Sequence, residues 1–244
     1  MFVLFVPIVS IVLWGGEPPV YAFWLLGFST ADTVPAGHVG FITGTGGQLT
    51  DVGHPKEASF TPFLTHAGLR LGLTDRVDIG YRLTQVALPF TSVGPTLGGE
   101  VDLKLRLMDL ADMWQAALVI GGAYSFLQIS GQSESAWSPG MDLMISRELG
   151  PGLWLITELR YVYTAIPTGP GGVAQNYLNA VGPDLGFKIA FTPQVSLVPE
   201  IGLFDFIGRL ERRNASGLGF QYGAVLSVSN ARSLVVCGLS RGGS

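Results

Sequence analysis

Residues 63–87 limit what this chain can fold into more than any other stretch. They read Phe-Leu-Thr-His-Ala-Gly-Leu-Arg-Leu-Gly-Leu-Thr-Asp-Arg-Val-Asp-Ile-Gly-Tyr-Arg-Leu-Thr-Gln-Val-Ala. Two runs alternate with period two, and Thr74-Asp75-Arg76 separates them. Ala67, Leu69, Leu71 and Leu73 share one phase of the first run, and Val77, Ile79, Tyr81 and Leu83 share one phase of the second. His66, Gly68, Arg70 and Gly72, then Asp78, Gly80, Arg82 and Thr84, occupy the other phase. Successive side chains of a strand point to opposite faces, so this pattern predicts a β-hairpin with one apolar face and one charged, glycine-rich face.

The pattern recurs, and ten strands are expected. They are Gly37–Thr45, Phe63–Leu73, Val77–Ala87, Glu100–Leu107, Trp114–Ile129, Gly140–Arg147, Leu153–Ala165, Leu178–Phe191, Val195–Ile207 and Gly217–Val228. Glu100–Leu107 is diagnostic. As a helix it would spread charge around every side, whereas as a strand it separates Glu100, Asp102, Lys104 and Arg106 from Val101, Leu103, Leu105 and Leu107. Short connections (Thr74–Arg76, Asp109–Met113, Glu148–Gly152, Thr192–Gln194) alternate with longer polar ones (Gly46–Phe60, Leu88–Gly99, Ser130–Pro139, Ile166–Asn176, Gly208–Ser216).

Charge provides an independent test of the phase. Arg70, Asp78, Arg82, Glu100, Asp102, Lys104, Arg106, Asp142, Glu158, Arg160, Asp184, Lys188 and Glu200 all fall in the polar phase. The apolar phase carries only Arg147 and Asp205, both placed near strand ends. An apolar face toward lipid and a charged face toward a lumen account for this sorting, because a lipid-facing Arg or Lys costs about 2–4 kcal/mol at mid-bilayer. Trp114, Tyr124, Tyr163 and Tyr222 fall in the outward phase, where interfacial aromatic girdles form.

Composition narrows the alternatives. Charged residues are 13% of the 244, against about 25% in globular chains, and glycine is abundant at 34 residues. A helical membrane protein would need charge-free apolar stretches of about 20 residues. Past the N-terminus, Trp114–Ile129 is the best candidate; it is too short and carries Gly121-Gly122. A net charge of −4 gives no basis for nucleic-acid binding, and the single Cys237 excludes an internal disulfide framework. Residues 1–31 read as an export leader, with small-residue cleavage sites after Ala22 and after Ala31, the second directly following an apolar run. No Lys or Arg precedes its first apolar stretch, and Phe28 stands where a lipoprotein box after Leu25-Leu26-Gly27 would need cysteine. The barrel is then expected over residues 32–244.

The whole arrangement, with Ala67-Gly68-Leu69-Arg70-Leu71-Gly72-Leu73, the turn Thr74-Asp75-Arg76 and Val77-Asp78-Ile79-Gly80-Tyr81, resembles small bacterial outer-membrane β-barrels. The resemblance implies an all-β, antiparallel up-and-down transmembrane barrel of about ten strands in the bacterial outer membrane. Members of that group usually finish on a strand with a terminal aromatic, whereas here Arg241-Gly242-Gly243-Ser244 follows Ser233–Leu239. Some members are lipid-modifying enzymes or proteases. His54, with Asp51 and Ser59 nearby, is the set to weigh for such chemistry, but spacing alone does not make it converge.

The expected role is non-enzymatic, structural or surface-interacting, in a monomer whose partner is outer-membrane lipid. The charges named above would line the lumen and largely close it by pairing. Arg82 against Glu100 and Asp102 is the pairing expected across the third and fourth strands. No cofactor, metal or nucleic acid is expected. A narrow channel for small solutes and a soluble secreted β-barrel are the alternatives.

Overall fold

The computed structural model describes residues 30–53, 56–86, 96–110, 114–129, 132–166, 176–210 and 213–229. The leader expected over residues 1–31 lies outside these residues apart from Thr30 and Ala31, as do His54, Cys237 and the Ser233–Leu239 segment. The strands are β1 (Val39–Gly53), β2 (Lys56–Thr74), β3 (Val77–Val86), β4 (Thr96–Leu110) and β5 (Trp114–Ile129). They continue with β6 (Gln132–Gly150), β7 (Leu153–Ile166), β8 (Asn176–Ala190), β9 (Val195–Leu210) and β10 (Arg213–Ser229). All pair antiparallel with their sequence neighbours, and β1 pairs with β10 from Gly40↔Ser229 to Gly53↔Ser216. The sheet is therefore a closed ten-stranded up-and-down barrel with no free edge.

The expected phase holds around the ring. Leu69, Leu71, Ile79, Tyr81, Val101, Leu143, Leu159, Val181 and Ile201 are exposed on the outside. Arg70, Asp78, Arg82, Asp102, Lys104, Asp142, Glu158, Arg160, Asp184 and Glu200 are buried on the inside. This inverts the arrangement of a soluble barrel and matches an apolar solvent around the sheet. Of the two charges expected in the apolar phase, Arg147 lies opposite Trp114 at the short-turn end, its guanidinium 4.9 Å from the indole ring. Asp205 pairs in register with Val181, one strand from Tyr161, whose hydroxyl donates to Asn179 Oδ1 at 2.8 Å. Arg147 thus sits against an aromatic group suited to an interface, whereas the register partners of Asp205 are Val181 and Leu218. On the outer surface Tyr163 stacks on Tyr177 and meets the edge of Trp137, both at 6.0 Å between centroids.

The long connections are corrected in three places. The expected loop Gly46–Phe60 is mostly strand, since β1 runs to Gly53 and β2 starts at Lys56. Ser130–Pro139 is largely the first half of β6, and Gly208–Ser216 is divided between β9 and β10. Beyond the lipid, no face must be apolar, so the alternation fades while the backbone ladder continues. Strands of 19 residues in β2 and β6 exceed the roughly 9–11 that a membrane crossing needs, so these hairpins are longer than a crossing requires. The turns at Thr74–Arg76 and Thr192–Gln194 lie where expected, that at Glu148–Gly152 is shortened by β6 reaching Gly150, and Asp109–Met113 falls partly outside the described residues. Thr74 Oγ1 accepts the Arg76 N–H, Thr192 Oγ1 accepts those of Gln194 and Val195, and Gly152 closes its turn at φ 75°.

The parity carries a direct test. Leu103→Arg puts a cation into hydrocarbon at a cost of about 2–4 kcal/mol, whereas Leu105→Val on the same strand removes one methylene. The Arg variant is expected to lose most of its heat-modifiable folded band on a gel, and the Val variant to keep it. Equal yields of the two would mean that Leu103 does not face lipid.

Candidate functional site in the barrel lumen

The lumen charges form two groups on opposite walls. On β2–β4, Arg70 Nη2 reaches Asp78 Oδ1 at 2.5 Å and Asp102 Oδ1 at 2.6 Å, and its Nε and Nη1 donate to the same two carboxylates at 2.9 and 3.2 Å. Arg82 Nη2 lies 3.1 Å from Glu100 Oε1 and 3.9 Å from Asp102 Oδ2, with Arg82 and Glu100 directly opposed in register. Pairing of this kind is what makes buried charge tolerable.

Glycine makes the longer-range pair possible. Arg70 is opposite Gly80, and Gly80 is opposite Asp102, so the Arg70–Asp102 bridge passes over the intervening strand. A Cβ at position 80 would come 2.6 Å from Asp102 Oδ2 and 2.8 Å from Arg70 Nη1. Other charges also face glycines across the ladder: Gly68↔Arg82, Gly72↔Asp78, Asp102↔Gly121 and Arg160↔Gly182. Gly80→Ala is therefore expected to destabilise the barrel by about 1–3 kcal/mol in a urea titration, the range for overpacking. At Gly99 an added Cβ meets only Tyr81 Oη, at 3.9 Å, so Gly99→Ala is the matched control expected to change little. Equal midpoints would contradict the bridge over Gly80.

On β6–β9 the balance is different. Arg160 Nη2 lies 2.7 Å from Asp184 Oδ2, 2.8 Å from Glu158 Oε2 and 3.4 Å from Glu200 Oε1, and Arg160 Nε lies 3.8 Å from Asp142 Oδ2. Four carboxylates thus share one guanidinium, which also sits 5.8 Å above the Phe204 ring. Apolar layers lie above and below this acidic layer. Leu178, Ala180, Phe204, Phe206 and Ala215 cluster on the long-loop side, and Ile42, Ile156, Val198 and Val225 cluster on the short-turn side.

The remaining expected lumen residues are Arg106 and Lys188, both half-buried near the short-turn end. Lys188 Nζ pairs with Asp32 Oδ2 at 3.2 Å and lies 6.0 Å from the Trp154 ring. Asp32 introduces a feature that the sequence reading missed. Residues 30–38 do not trail away from β1 but turn into the barrel at its short-turn end. Ala31 is fully buried against Ala117 and Met144, and its N–H donates to Ser146 Oγ at 3.3 Å. Lys104 Nζ donates to the carbonyls of Thr30 and Asp32 at 2.7 and 3.0 Å. The Val34 N–H donates to Asp78 Oδ2 at 2.8 Å, and the Ala36 N–H to Asp75 Oδ1 at 3.3 Å. Gly72 leaves room for the segment, because a Cβ there would collide with the carbonyl oxygens of Val34 and Pro35. No local pattern in residues 30–38 reveals this docking; its partners come from β2, β3, β4, β6 and β8.

Of the candidate catalytic set, His54 lies outside the described residues. Asp51 is exposed and is registered with Ala58, while Ser59 is opposite Thr50. His66 is buried in the lumen, its ring packed over Gly44.

Closure, parity and a charged interior give the chain the fold of a small bacterial outer-membrane β-barrel. Among solved structures it is similar to the COG4313 outer membrane channel of Pseudomonas putida F1, with 16% identity, a TM-score of 0.52, and coverage of 82% of this chain and 98% of that one. It is also similar to the outer membrane protease OmpT of Escherichia coli, at 10% identity and a TM-score of 0.49, over 81% of this chain and 98% of that one. No protein-family model and no curated protein matches the sequence.

Proposed function

We propose that this chain is a monomeric, non-enzymatic protein of the bacterial outer membrane, held in lipid by its apolar exterior and serving a structural or surface-interacting role with a closed lumen. One observation supports this reading: described side chains and residues 30–38 enter the interior at several levels. Residues 30–38 occupy the short-turn end, the paired charges of β2–β4 and the acidic group around Arg160 occupy the middle, and the Phe204–Phe206 cluster lies toward the long-loop end. A ten-stranded interior is only modestly wider than an eight-stranded one, which side chains can fill. The outward apolar belt weighs against a soluble secreted barrel.

Planar-bilayer recording tests closure. The purified full chain is expected to show little conductance. A large, stable conductance would instead make a narrow solute channel the leading role. The surplus of carboxylates around Arg160 favours that second reading in one respect, because an acidic lining selects cations.

A further inference from the structure

We propose that Glu158, Asp184 and Glu200, completed by Gln221, form a lumen site for a hard divalent cation of the calcium class. One carboxylate oxygen from each of the three acids lies within 4.8 Å of the others, and all three residues are buried. Oxygens bound to one calcium ion at about 2.3–2.6 Å cannot be more than about 5 Å apart, so the three acids are close enough together to share one ion. Arg160 engages only one oxygen of each acid: Glu158 Oε2, Asp184 Oδ2 and Glu200 Oε1. Glu158 Oε1, Asp184 Oδ1 and Glu200 Oε2 accept no hydrogen bond among the described residues.

Gln221 is the independent observation. It is 2% exposed, and neither atom of its amide has a hydrogen-bond partner among the described residues. It faces the lumen from β10 directly opposite Gly202, and Gly202 is opposite Asp184. Asp184 Oδ1 occupies the place where a side chain of residue 202 would begin, so the carboxylate leans across β9 toward Gln221. A buried, unpartnered amide across Gly202 from that carboxylate would supply the neutral carbonyl oxygen that calcium sites combine with carboxylates. Every donor is oxygen, which suits calcium, magnesium or manganese rather than zinc or copper. Calcium, which accepts flexible geometry, suits side chains drawn from four strands better than magnesium, which demands near-octahedral geometry. Charge also calls for a cation, since one guanidinium does not balance Asp142, Glu158, Asp184 and Glu200 between two apolar layers. The site does not depend on whether the lumen conducts.

Calorimetric titration of CaCl2 into the EDTA-treated full chain, folded in detergent, tests the proposal. Saturable binding of a single equivalent is expected, with magnesium weaker. Glu200→Gln and Gln221→Leu should each weaken it by about tenfold or more, while both variants keep the heat-modifiable folded band. Should Glu200→Gln fail to fold, Gln221→Leu alone decides, since it swaps one neutral side chain for another. Absence of saturable binding by the folded protein would overturn the site, as would binding unchanged in Gln221→Leu, which would place the ion elsewhere on the protein or its detergent.

Discussion

A variant lacking residues 30–37 is expected to fold into the same barrel and to conduct ions severalfold better than the full chain. The segment belongs to no strand and contributes nothing to the ladder that closes β1 on β10, so its loss leaves the sheet intact. It does take up the short-turn mouth, through Lys104, Asp78, Ser146 and Asp75. Without it, Lys104 loses the Thr30 and Asp32 carbonyls, and Lys188 loses the Asp32 carboxylate. Water entering to solvate these ammonium groups opens that end of the lumen. Planar-bilayer recordings of both proteins are the measurement. Equal conductance with equal heat-modifiability would mean that residues 30–37 are not what closes the barrel. An intermediate test uses Lys104→Met, which removes two anchors while leaving the segment in place.

Replacing Arg70 is expected to destabilise the barrel strongly. Arg70→Met keeps much of the side-chain volume but leaves Asp78 and Asp102 buried, both having lost their closest cation. Breaking one partner of a buried ion pair costs about 3–5 kcal/mol, because an uncompensated charge remains. The urea midpoint in detergent should fall accordingly. Combining Arg70→Met with Asp78→Asn and Asp102→Asn should recover much of the loss, since a neutral set carries no stranded charge. A lone Arg70→Met with a midpoint near that of the parent would show that the cluster is hydrated and weakly coupled. No recovery in the triple variant would show that Arg70 acts through packing instead.

Part of this site was legible in the sequence. Arg82 and Glu100 lie on consecutive strands in the same phase, and the structure places them directly opposite each other. The Arg70–Asp102 bridge was not legible, because its partners are two strands apart and meet only through the side-chain-free space at Gly80. The shared guanidinium at Arg160 was likewise hidden. Alternation put Asp142, Glu158, Asp184 and Glu200 on the inside, but their gathering around one side chain depends on the registers of three successive strand pairs.

By itself, then, the sequence determined phase and number: which residues face outward, which face the lumen, and that ten strands alternate. Those properties follow from a local rule, since hydrocarbon on one side of a period-two backbone penalises every misplaced charge. The tertiary structure alone decided register, the true reach of the hairpins, and the entry of residues 30–38 into the lumen. Register is set by bulges such as those at Gly46/Gln48 and Gly72/Thr74 and by closure of the ring. Hairpin reach is set outside the lipid, where no apolar face marks the strand. The plug is held by backbone groups reaching side chains of β3, β4, β6 and the β2–β3 turn, a coincidence in space that no stretch of residues encodes locally.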